Sequence, residues 1–110
     1  MPDPIQVVTT TASREDAERI ARELIDERLA ACVQVAGPIT STYRWQGAIE
    51  SSREWLCLIK SRQDLYAELE AAIRRLHPYE VPEILALPVV AGNPAYLAWL
   101  DAEVKRPDAS

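Results

Sequence analysis

The stretch Ile39-Thr40-Ser41-Thr42-Tyr43-Arg44-Trp45-Gln46-Gly47-Ala48-Ile49-Glu50 decides the fold. Gln46-Gly47 reads as a two-residue hairpin turn, with glycine at the position that requires a positive φ. Before it, β-branched and aromatic residues predict a strand with Tyr43 and Trp45 on one face. After it, the chain returns extended from Ala48 to Lys60, most strongly at Trp55-Leu56-Cys57-Leu58-Ile59. Cys32–Ala36 is also extended, and Gly37-Pro38 interrupts it just before Ile39. That predicts one long, bent strand with a bulge near Gly37.

The same pattern lies on both sides of the hairpin. Upstream, Ile5–Thr10 is a short β-branched strand. Ser13, with Asp16 three residues on, resembles a capping box. Ala17, Ile20, Ala21, Leu24 and Leu29 then keep helical spacing, which predicts a helix from Arg14 to Arg28. Downstream, Ser61 and Asp64 repeat the capping pattern. Leu65, Leu69, Ile73 and Leu76 form a second amphipathic stripe.

Proline then stops the helix. In His77-Pro78-Tyr79-Glu80-Val81-Pro82-Glu83-Ile84 each proline pushes the residue before it out of the α region. The helix should end at Leu76, with His77 and Val81 extended. Ile84–Val90 is the fourth strand, and Pro88 marks it as an edge. Asn93 is an N-cap and Pro94 an N1 residue for a last helix over Ala95–Val104. The order β-α-β-β-α-β plus a helix is an α+β, ferredoxin-like pattern. It predicts a four-stranded antiparallel sheet with two helices on one face.

A chain of 110 residues is one domain, 1–110, with residues 1–4 and 105–110 expected to fray. The hydrophobic fraction is 48%, the charged fraction 26% and the net charge −5, so the chain is globular and not drawn to nucleic acid or anionic membrane. The longest uncharged apolar run, Ile84–Ala91, is too short to span a bilayer. Met1-Pro2-Asp3-Pro4 has no basic region, so no secretory leader is expected. Cys32 and Cys57 form neither a CxxC nor a disulfide framework, which points to a reducing cytoplasm.

A half-buried strand should alternate apolar and polar residues. These strands do not. Trp55, Cys57 and Ile59 oppose Leu56 and Leu58, and Leu85, Leu87 and Val89 oppose Ile84, Ala86 and Val90. Something must cover the second face, either self-association or the last helix folding back. At the proline corner, His77 with Glu80 or Glu83 offers nitrogen and oxygen donors for Cu(II) or Zn(II). Its alternative role is a plain helix stop.

Leu29-Ala-Ala-Cys-Val33, Ser41-Thr-Tyr-Arg-Trp-Gln-Gly47, the Glu54–Lys60 strand, His77-Pro-Tyr-Glu-Val-Pro-Glu-Ile84 and Tyr96-Leu-Ala-Trp99 resemble the CutA family of divalent-cation-tolerance proteins, in order over residues 5–104. The resemblance implies a ferredoxin-like fold similar to the PII signalling proteins, a homotrimer, and a link to copper and other divalent cations. No Ser/His/Asp order or nucleophile motif is present, so no enzyme activity is expected, and no organic cofactor is evident. Cys32 matches the family's A-A-C-V cysteine, a candidate metal ligand beside His77, Glu80 and Glu83; a small buried hydrophobe is the alternative. Two departures are Ser61, where threonine is usual, and Thr9, where some members carry cysteine. By the PII likeness, Tyr43, Trp45, Glu54, Lys60 and Tyr79 are expected to line a cleft between subunits that takes a small anion or organic ligand. Cross-strand bracing is the alternative for Tyr43 and Trp45.

Other functions of this topology lack their residues. An acylphosphatase-like hydrolase needs a glycine-rich anion cradle after strand one, and Thr11-Ala12-Ser13-Arg14 has no glycine. RNA binding needs a basic surface and an aromatic sheet face, and only Trp55 is offered on strand three.

Overall fold

The computed structural model describes residues 3–108. Strands β1 (Pro4–Thr11), β2 (Cys32–Trp45), β3 (Ala48–Arg62) and β4 (Leu85–Pro88) form one antiparallel sheet in the order β2-β3-β1-β4. Helices α1 (Arg14–Asp26) and α2 (Tyr66–Leu76) pack on one face, and α3 (Pro94–Glu103) follows β4. The ferredoxin-like order is the one read from the sequence.

The core lies between that face and the two helices. Ile5 and Val7 from β1 and Cys57 and Ile59 from β3 meet Ala17, Ile20 and Leu24 of α1 and Leu69, Ala72 and Ile73 of α2. Burial alternates strictly along the outer half of β1, as a sheet covered on one side requires. Ser13 caps α1, its Oγ accepting from Asp16 N at 3.1 Å. Asn93 caps α3 in the same way through Ala95 N at 3.0 Å, with Pro94 at the first helical position. His77 ends α2 in an extended conformation.

Several boundaries differ from the sequence expectation, each for a local reason. β3 runs on to Arg62, so Ser61 is still a strand residue facing inward. Its hydroxyl donates to Leu29 O at 2.7 Å and caps nothing. A 3₁₀ turn at Gln63–Leu65 starts the second helix instead. β4 is four residues, not seven: the ladder with β1 covers Leu85–Pro88, and beyond it Val89 N adds a single bond to Pro4 O at 3.1 Å. α1 stops at Asp26, and Arg28 takes the left-handed conformation at φ 58° while Leu29 N bonds back to Leu24 O at 3.0 Å. That αL end usually falls to glycine. Here the arginine side chain reaches the carbonyls of Ala102 and Glu103 at the end of α3.

Pro4 is in β1, and Lys105 N bonds Arg28 O at 2.8 Å. Residues 1–2 and 109–110 lie outside the described part. Arg62 does most to hold this end. It is only 1% exposed, and its guanidinium pairs with Asp64 and Asp101, each at 3.0 Å, and with Lys105 O at 2.8 Å.

The other end of the sheet is a two-stranded arm. β1 ends opposite Trp55, so Ile39–Trp45 and Ala48–Glu54 pair only with each other. The bend at the root of the arm is the register break between Ala36 and Ile39, where the Gly37-Pro38 bond is cis. Trp55 packs so closely on Gly37 that a Cβ there would sit 2.7 Å from Cδ1 of the indole. The turn at the tip puts both Gln46 and Gly47 at positive φ, so it is of the primed type that matches strand twist. The arm leaves the molecule 44 × 31 × 24 Å, with 6812 Å² of surface. A compact chain of this mass would expose roughly 6,100 Å².

Candidate functional site

The cleft forms where the arm leaves the sheet, on the face away from α1 and α2. Register puts Tyr43 opposite Glu50, Ser41 opposite Ser52 and Ile39 opposite Glu54, all on that face. The proline corner after α2 closes the other side with Tyr79, Glu80, Val81 and Glu83. The space between is about 670 Å³, within the usual range for a small-molecule site.

His77 fixes the corner. Its Nε2 lies 2.7 Å from the carbonyl of Thr10, which can only accept, so Nε2 carries the proton. Tyr79 N donates to Nδ1 at 3.1 Å. Both ring nitrogens are used, the residue is 7% exposed, and the ring packs on that of Tyr79 at 4.7 Å. Tyr79 in turn donates its phenol to Glu54 Oε2 at 2.8 Å. Burial, with that hydrogen bond and the glutamate's charge, pushes the Tyr79 phenol far up, so it stays a donor. Backbone of β1, imidazole, phenol and carboxylate thus form one chain of contacts from the sheet to the cleft wall.

Of the residues named from sequence for a ligand cleft, Tyr43, Trp45, Glu54 and Tyr79 come together. Lys60 does not. It lies six residues along β3 from Glu54, ~20 Å at strand rise, and its Nζ donates to Gln6 Oε1 on the neighbouring strand. Glu80 and Glu83, named as metal donors, line the cleft as well. Glu50 and Thr10 also line it. Glu50 was legible as the hairpin partner of Tyr43, but Thr10 needed the three-dimensional path of β1.

The four metal candidates do not converge within one chain. Cys32 faces the open side opposite Lys60, while His77 sits at the Thr10 end of the sheet. Among the described residues no three of His, Cys, Asp and Glu are grouped to hold a metal ion. With both imidazole nitrogens engaged, the donors of a single chain do not fit a divalent ion. Cys32 and Cys57 are free thiols; Cys57 is fully buried, and burial pushes its thiol up to about 11.

The open face itself is apolar. Val8, Leu56 and Leu58 are half-buried there, and Leu85 and Leu87 are 58% and 47% exposed. α3 is anchored at the Arg62 end and leaves Leu85 and Leu87 exposed. No helix among the described residues is long and apolar enough to cross a membrane.

Comparison with known proteins agrees with this architecture. Residues 5–103 match the sequence model of the CutA1 divalent ion tolerance protein family. The divalent-cation tolerance protein CutA of Thermus thermophilus is 47% identical over 94 residues, covering 86% of this chain and 91% of that protein. Human protein CutA is 43% identical over 101 residues, and there the chain spans 56% of the relative's length. Among solved structures, the Thermus thermophilus protein superposes with a TM-score of 0.91 at 43% identity, covering 93% of this chain and 99% of that one. CutA1 of Oryza sativa gives 0.92 at 38% identity, covering 94% and 95%. With the family match running from β1 to the end of α3, the chain belongs to the CutA1 divalent-ion tolerance family.

Proposed function

We propose that this chain works as a non-enzymatic homotrimer in the cytoplasm, serving divalent-cation tolerance and taking a small ligand in the cleft at the root of its arm. The observation that carries it is a pair of surfaces, the exposed Leu85 and Leu87 beside the half-buried Leu56 and Leu58, and the two-stranded arm. Exposed apolar rows of this kind ask for a partner, and an isolated hairpin is marginal in water, so copies of the chain meeting through both would explain both. Copper or another divalent ion then draws donors from more than one copy. Cys32 faces the open side and is half-buried, which makes it the better placed soft donor, whereas His77 is occupied.

Native mass spectrometry with and without Cu(II) tests this. The expected species is three times 12.3 kDa, with copper bound in a fixed number per assembly. A monomer at micromolar concentration overturns the assembly. Calorimetry separates the donors: Cys32→Ala should weaken copper binding, while His77→Ala should leave it intact. The cleft favours a second reading, in which the trimer senses a small molecule and metal is incidental. Trimers that take no copper but bind a cleft ligand would select it.

A further inference from the structure

The proline corner hangs on one imidazole, the only one in the chain. Among the described residues, no backbone–backbone hydrogen bond reaches residues 78–83. The corner is tied instead through side chains. The His77 ring holds Thr10 O and Tyr79 N, and the Tyr79 phenol holds Glu54.

The bond from Tyr79 N is the one that a proton destroys. Nδ1 accepts it with a lone pair, because Nε2 already donates toward Thr10 O. A second proton can go only to Nδ1. It would then face the Tyr79 N–H across the same 3.1 Å. Two donors do not bond each other, so the charged ring lets go of Tyr79. The bond to Thr10 O survives, since both forms of the ring donate there.

The surrounding groups do not rescue the charged form. From α1, Asp16 and Arg19 pair with each other at 3.2 Å, and Arg19 also donates to Leu76 O beside the ring. From β3, Glu54 accepts from the Tyr79 phenol, and from β2 Tyr43 lies close enough to raise that phenol further. β1 offers only the Thr10 carbonyl, already bonded to Nε2. Glu80 and Glu83 follow on the corner and bond neither ring nitrogen. All these contacts lie within one chain, and His77 is 7% exposed. Covering the arm or the open face with other copies therefore leaves both ring nitrogens engaged as they are.

We infer that His77 is an acid-sensitive latch. Neutral, it closes the corner onto β1; doubly protonated, it releases the Tyr79 backbone and frees the corner to leave Glu54. This goes beyond the proposed function and does not rest on what fills the cleft.

The test is ¹⁵N NMR of the imidazole with hydrogen exchange of the full chain, at about pH 8 and about pH 5, either side of the range where histidines change charge. At the higher pH the proton should sit on Nε2 alone. At the lower pH both nitrogens should carry one, and protection of the amide at position 79, corrected for intrinsic exchange, should fall about tenfold, as for one lost hydrogen bond. The amide of Ala31, which bonds Lys60 O at 2.9 Å toward the other end of the sheet, should keep its protection. His77→Asn puts a neutral acceptor near the place of Nδ1 and should make position 79 indifferent to pH. Tyr79→Phe leaves the latch in place and should keep the full response. A charged ring with position 79 still protected overturns the inference, as does a ring that stays neutral at the lower pH. Equal loss at Ala31 means general loosening and also overturns it. Loss of the response in Tyr79→Phe overturns it by placing the pH dependence on the phenol and Glu54. If His77→Asn does not fold, the comparison of positions 79 and 31 in the unaltered chain decides alone.

Discussion

β3 belongs to two different environments along its length. From Cys57 to Arg62 it lies between β1 and β2 under two helices, and Cys57, Ile59, Ser61 and Arg62 are buried. From Ala48 to Arg53 it has one neighbour, and almost every residue is exposed. The first half is held by what the chain itself supplies. The second is held by cross-strand pairs alone, such as Thr42 Oγ1 with Ser51 Oγ at 3.0 Å and Tyr43 donating to Ser52 at 3.2 Å. Pairs of that kind contribute only tenths of a kcal/mol each.

Variants in the two halves should therefore behave differently. The largest effect is expected in the body. Arg62→Ala removes the partner of Asp64, Asp101 and the Lys105 carbonyl together, and should cost about 3 kcal/mol. Thermal unfolding should fall on the order of 10 °C. An unchanged melting temperature would mean that α3 docks through Leu100 and Val104 alone. Next comes the root of the arm, where Gly37→Ala drives a Cβ against the Trp55 indole and should cost roughly 1–3 kcal/mol. Its signature is a changed near-ultraviolet signal from Trp55 with the body otherwise intact.

At the tip, Gly47→Val strains a residue at φ 82° by about 1–2 kcal/mol, although no atom lies within 4 Å of the added Cβ. If the arm is an assembly element, that cost should appear as weaker trimers in dilution experiments, with the monomer's melting little altered. Identical loss in both measurements would erase the distinction between body and arm.

The last effect is absent at neutral pH and grows only in alkali. Cys57 and Tyr79 both have raised pKa values in the folded state, so the unfolded chain loses their protons first as pH rises. Their stabilisation is complete below about pH 9, the thiol's ordinary value, and is lost as pH climbs through about 11 and beyond. Cys57→Ser should flatten the first part of that decline in chemical denaturation. Cys32, half-buried on the open face, should react with a thiol reagent in the native protein while Cys57 does not.

The body was readable from sequence because its signals are local and periodic. Helical spacing in Ala17–Leu24, Ser13 and Asn93 at their caps, and Pro78 after His77 each act on their immediate neighbours. The strand alternation correctly divided Trp55, Cys57 and Ile59 from Leu56 and Leu58. The failures involve distance. Nothing near Arg62 announces that Asp101 and Lys105, some forty residues on, will enclose it. Lys60 was assigned to a cleft between subunits by resemblance, and within one chain strand rise keeps it ~20 Å from Glu54. His77 looked free to act because its acceptor, Thr10 O, is a backbone atom 67 residues away. Arg28 at positive φ carries no sequence mark, since glycine is the usual sign.

The contact between Gly37 and Trp55 is also a matter of leverage. Seven residues from Ile39 to Trp45 make a lever of ~23 Å, and a tilt of about 10° at its root would move the tip by ~4 Å, nearly one strand spacing. The wedge that sets this angle is one indole seated on one residue without a side chain. A substitution at position 37 therefore acts as a steering change, sending Trp45 and Ile49 toward a different target while leaving every contact of the helices in place.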